Sequence, residues 1–131
     1  MAVNEKEKNI ANCLSSIFGN SFPEGTYEVI VVDNGSTDRT VTIAESSGAV
    51  VLKKPDANIS GLRNYGSGVA KGKILAFIDA DCTVAKDWLQ QASRYLDRDD
   101  VACFGAPPEI PSNPTWVQKT WFLVRGKSEQ V

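Results

Sequence analysis

Asp79 and Asp81 stand at the end of an apolar run, I-L-A-F-I-D-A-D over residues 74–81, and Asp33 closes a second run, V-I-V-V-D over 29–33. Side chains at i and i+2 of an extended chain point the same way, so Asp79 and Asp81 would be aimed together beyond a strand's carboxyl end. In open α/β sheets that is the edge where ligands bind. Carboxylates converging without imidazole describe a site for a hard divalent cation. Magnesium and manganese prefer oxygen ligands and commonly bridge a protein carboxylate to substrate phosphates. Arg63, in G-L-R-N-Y-G over 61–66, offers a second positive group for a diphosphate. The turn Asn34-Gly35-Ser36 leads toward a helix amino terminus, which suits an anion. Taken singly, each feature also has a plainer structural reading. Acidic residues end strands and cap helices, D-N-G-S can be only a turn and cap, and an arginine on a helix is often merely solvated.

The chain contains no histidine, which removes Ser-His-Asp, Cys-His and histidine-ligated metal chemistry together. Its three cysteines, Cys13, Cys82 and Cys103, form no CxxC pair. That disfavours a disulfide framework or a structural zinc site and points to a reducing compartment, read here as cytoplasmic. Cys82, next to the acidic pair, reads as a small buried filler. A net charge of −2 and the lack of any Lys/Arg run argue against a nucleic-acid partner. The longest apolar runs are too short to span a bilayer, and the amino terminus is unlike a signal peptide. At 131 residues, 42% apolar and 23% charged, the sequence suits a single domain, 1–131.

The elements that must position these residues alternate between helix and strand. Ile10, Cys13, Leu14, Ile17 and Phe18 form one helical stripe within residues 4–18, and Gly19 stops it. Residues 27–32 are β-branched and apolar, a strand of the buried kind. A helix capped by Ser36 or Thr37 runs to about residue 47, followed by a strand at 49–53 and a turn at Pro55-Asp56. Asn58 or Ser60 opens the next helix. The run within 73–83 then reads as a strand buried on both faces. A helix at 86–96, a strand at 101–104 and a helix at 114–124 complete the pattern. Trp116 and Trp121 in that last helix read as core or subunit contact rather than a sugar platform. The alternation predicts a doubly wound, mainly parallel α/β sheet.

Four segments carry a family likeness: N-E-K-E-K-N-I over 4–10, V-I-V-V-D-N-G-S-T-D-R-T over 29–40, G-L-R-N-Y-G followed by A-K-G over 61–72, and I-L-A-F-I-D-A-D over 74–81. In this order and spacing the chain resembles the inverting glycosyltransferases of family 2, which have the GT-A fold with its Rossmann-like nucleotide-binding half. The resemblance implies that Asp33 binds the donor nucleobase, typically uracil, and that Arg63 lies against the donor nucleotide. It implies that Asp79 contacts the ribose or sugar and that Asp81 ligates Mn2+ or Mg2+ on the diphosphate. The implied reaction transfers a sugar from a nucleotide-sugar, a uridine diphosphate sugar by preference, to an acceptor hydroxyl with inversion.

Relatives in that family begin with an apolar strand ending in proline, where this chain has Met1-Ala2-Val3. They also continue beyond the donor half with a carboxylate general base. The chain therefore reads as a donor-binding part shortened at both ends. Asp87, Asp97, Asp99, Asp100 and Glu109 lie in the wrong region for a base, so no catalytic base is assigned. The expected consequences are a homodimer through the incomplete sheet or marginal stability. Any membrane association would be peripheral, to the inner face, and through regions outside this sequence. The alternative reading is a non-catalytic nucleotide-binding or assembly module. A nucleotidyltransferase would need a Gly-rich phosphate loop near the amino terminus, and the sequence has none.

Overall fold

Helix α1 (Glu5–Phe18) forms along the expected stripe: Ile10, Cys13 and Leu14 are buried, Leu14 with only 1% of its surface exposed. These residues recur one turn apart, so the helix lays a single apolar line on its neighbour. The backbone N–H of Gly19 bonds to Ser15 O at 2.9 Å and ends it. A computed structural model describes residues 5–95, together with residues 103, 105, 109 and 113. The chain divides into two units, Met1–Arg98 and Asp99–Val131, and every element below belongs to the first. The expected strand at 101–104 and helix at 114–124 lie outside the described residues.

Strands β1 (Ile30–Asp33) and β2 (Val50–Lys53) pair in parallel, with Ile30 opposite Val50 and Asp33 opposite Lys53. The crossover between them is α2 (Thr40–Ser46). Alternation along the strands sends odd- and even-numbered side chains to opposite faces. Val29, Val31 and Val51 pack with Ile10 and Leu14 of α1 and with Ile43 and Ala44 of α2. On the other face, α3 (Ile59–Val69) lies against β1. Gly66 permits that approach, since a Cβ there would stand 3.0 Å from Val32 Cγ2. Helices thus cover both faces of parallel strands, as the doubly wound reading requires. A short helix, α4 (Trp88–Ser93), follows the acidic segment.

Two expectations change. Helix α2 starts at Thr40 rather than beside Ser36 or Thr37, and Arg39 precedes it without a side-chain cap. The Asp33 carboxylate holds the N–H groups of Gly35 and Ser36 in a turn, which delays the helix.

The larger correction concerns residues 73–83. They do not form a strand, and they are not buried on both faces. Ile74, Leu75 and Phe77 are 55%, 47% and 54% exposed, and among the described residues the sheet has two strands. Apolar composition reports that a segment gains from burial, whereas a strand also needs a ladder partner for its backbone groups. No such partner for 74–78 stands among the described residues. The segment is held by its ends instead. Glu28 Oε1 accepts the N–H groups of Lys71 and Gly72 at 2.6 and 3.1 Å, just before β1 begins. At the far end, Val84 N–H donates to Ser16 Oγ at 3.0 Å, and Ser21 N–H to Lys86 O at 2.7 Å. Among the described residues no helix is long and apolar enough to cross a membrane.

Candidate functional site

Asp33 ends β1 and is 5% exposed. Its Oδ2 accepts the N–H groups of Gly35 and Ser36 at 3.0 and 3.1 Å, and its Oδ1 lies 3.2 Å from Ser36 N. Gly35 adopts φ +90°, a left-handed conformation that favours glycine, and this folds the turn back over the carboxylate. Asn34 Oδ1 accepts the N–H of Ala57 at 3.2 Å, tying the turn to the loop before α3. Asn58, rather than Ser60, the other residue the sequence offers, caps that helix: its Oδ1 accepts the N–H of Gly61 at 2.8 Å.

The second turn of α3 brings Arg63 to the acidic segment. Its Nη2 lies 3.1 Å from Asp79 Oδ1 in an ion pair whose side chains are largely exposed. The same guanidinium sits 5.8 Å from the centroid of the Phe77 ring, within cation–π range. Asp79 is also fixed through its backbone, because its carbonyl accepts the N–H of Cys82 at 2.9 Å and faces the Cys13 thiol at 3.8 Å. Asp81 is exposed and lies within that turn.

The four residues singled out in the sequence are therefore drawn together in two groups. Arg63 meets Asp79 directly. Asp81 and Ser36, whose N–H the Asp33 carboxylate holds, line one open cavity of about 280 Å³. Lys6, Asn9 and Thr40 line it too, and the sequence reading did not single these out. The available signal was the N-E-K-E-K-N-I segment, whose polar positions pass for a solvated helix face. Thr40 hydrogen bonds to Asp38, with a smaller effect of the Lys6 charge, hold the Asp38 carboxyl below the usual carboxylate range. Burial, then the Asp81 charge, raises the Cys82 thiol; Cys82 is exposed as a residue and is not the buried filler expected.

Among the described residues no three of His, Cys, Asp and Glu cluster closely enough to hold a metal ion by themselves. An exposed carboxylate, Asp81, stands on the rim of the cavity. That fits a magnesium-like ion, which keeps waters and takes one or two protein carboxylates plus substrate phosphates.

The family model described as Glycosyl transferase family 2 matches residues 1–130. The chain belongs to glycosyltransferase family 2. Glycosyltransferase AglE of Haloferax volcanii is 36% identical over 113 residues, which is 82% of this chain and 37% of that protein. The poly(ribitol-phosphate) beta-N-acetylglucosaminyltransferase TarS of Staphylococcus aureus is 32% identical over 97 residues, 70% of this chain and 17% of that one. The crystal structure of S. aureus TarS superposes with a TM-score of 0.63 at 28% identity, covering 82% of this chain and 22% of TarS. This family 2 chain thus has an α/β GT-A fold with parallel strands, and it spans well under half the length of these relatives.

Proposed function

We propose that this family 2 chain is a donor domain that binds a nucleotide-sugar, a uridine diphosphate sugar by preference, for transfer to an acceptor hydroxyl with inversion. The observation that carries the reading is the convergence of Arg63 on Asp79 beside the cavity that Asp81 shares with the Asp33-capped turn. Arg63 supplies a fixed planar cation for the nucleotide's phosphates. Asp79 orients that guanidinium and offers an exposed carboxylate to ribose or sugar hydroxyls. The Asp33 turn receives the nucleoside end. Asp81 would hold Mn2+ or Mg2+, and such an ion supplies charge neutralisation for the departing diphosphate. The chain's own residues then bind and orient the donor.

Calorimetric titration with uridine diphosphate tests this directly. Wild-type protein should bind in the presence of Mn2+ and far more weakly in chelator, and Arg63→Ala should lower the affinity with metal present. Indifference to both changes would contradict the reading.

The same proposal includes a second copy of the chain paired along the sheet. Among the described residues β1 pairs with β2 alone, and this and the exposed apolar side chains of Ile74, Leu75 and Phe77 favour it. Light scattering should give a dimer mass, and a monomer at all concentrations would remove this part.

A further inference from the structure

The Arg63 guanidinium meets two side chains of one short segment. Its Nη2 lies 3.1 Å from Asp79 Oδ1, and its Cζ stands over the Phe77 ring, 5.8 Å from the centroid. Phe77 and Asp79 are two positions apart, so ring and carboxylate reach the same cation together. The segment that carries them is tied down before and after. Glu28 Oε1 accepts the N–H groups of Lys71 and Gly72, and Ser16 Oγ accepts the N–H of Val84. Phe77 itself is more than half exposed and stands outside the buried core cluster. Its contact with Arg63 is therefore of more consequence than its burial.

Resting on the donor-site reading above, we propose that Phe77 is a positioning residue for the donor, whose ring braces the Arg63 guanidinium for the nucleotide's phosphates. A guanidinium is planar and carries five N–H donors in a rigid fork. An aromatic ring attracts such a cation electrostatically without using any of those donors. Asp79 engages Nη2, and the remaining N–H groups serve the phosphates. Arginine has a long stem with much rotamer freedom, and a side chain oriented in advance loses less of it on binding. Phe77 acts through Arg63 and touches no part of the donor.

The test is calorimetry on the full chain with Mn2+, using uridine diphosphate and inorganic pyrophosphate as probes. Phe77→Leu should weaken both by about two- to fivefold, the factor expected from one exposed cation–π contact. Phe77→Tyr keeps the ring and should bind like wild type. Phe77→Leu leaves an apolar side chain on the face offered to a second copy, so the mass by light scattering should not move. In an Arg63→Ala background, Phe77→Leu should weaken binding no further, because the ring then has no cation to brace. A full additional loss in that background, or a loss with uridine diphosphate and none with pyrophosphate, would show Phe77 acting other than through Arg63. Either result, or wild-type affinity in Phe77→Leu, overturns this inference while the donor site stands. If wild-type protein binds neither probe with Mn2+, the donor reading itself fails and takes this inference with it.

Discussion

Arg63 Nη2 lies 3.1 Å from Asp79 Oδ1, joining the second turn of α3 to the acidic segment across sixteen positions of sequence. Both side chains are largely exposed, and exposed ion pairs contribute about 0–1 kcal/mol. The pair therefore orients a guanidinium more than it holds the fold together. Arg63→Ala and Asp79→Ala should each lower stability by less than about 1 kcal/mol in urea unfolding, while nucleotide affinity falls. A large stability loss with affinity intact would reverse that assignment.

Asp33 should behave in the opposite way. Asp33→Ala leaves the buried N–H groups of Gly35 and Ser36 without their acceptor, at a cost of about 1–3 kcal/mol. Asp33→Asn retains one acceptor oxygen and should lose less. Chemical denaturation of the two variants reads the difference directly.

The two ends of the fold differ in how far they could be foreseen. The α1 stripe, the Asn58 cap and the parallel β1–β2 pair follow from local spacing and short-range hydrogen bonding, which sequence expresses well. Residues 74–78 have the composition of a buried strand, but composition does not name the strand that must lie alongside, and Ile74, Leu75 and Phe77 remain exposed. At the site, residue types pointed to Asp79, Asp81 and Arg63. For D-N-G-S the plainer reading as a turn agrees with the structure, where Asp33 turns its carboxylate inward onto Gly35 and Ser36. Lys6 and Asn9 carry no distinguishing signal in the sequence, because polar residues on an amphipathic helix ordinarily face water.

Two glycines of α3 should respond differently to alanine. At Gly68 an added Cβ meets nothing within 4 Å, so Gly68→Ala should stabilise the protein by about 0.5–1 kcal/mol through helix propensity. At Gly66 the new methyl would stand 3.0 Å from Val32 Cγ2, so the same gain is opposed by displacement of α3 from β1. Thermal melts should rise for the first variant and fail to rise for the second.

Leu14 is the largest fully buried side chain among the described residues. Leu14→Ala should cost about 2–5 kcal/mol.

Burial, followed by the charges of Cys82 and Asp81, pushes the Cys13 thiol above its ordinary value of 9.0. Its folded pKa exceeds its unfolded one, so this contribution to stability is complete below pH 9 and is lost as pH rises through the folded value. Iodoacetamide should label exposed Cys103 well before buried Cys13 near neutral pH. Mass spectrometry of the alkylated peptides checks the order, and early labelling of Cys13 would show that α1 opens readily.

The central claim is that Asp81 makes nucleotide binding depend on a divalent metal. Thermal melts should be recorded with uridine diphosphate, with Mn2+, with both and with neither, on wild-type protein and Asp81→Ala. A ligand that binds only the folded state raises the melting temperature in proportion to its affinity. The account requires a rise for wild type with nucleotide and metal together, little change with either alone, and no rise for Asp81→Ala. Equal shifts in the two proteins, or none in wild type at millimolar ligand, would contradict it.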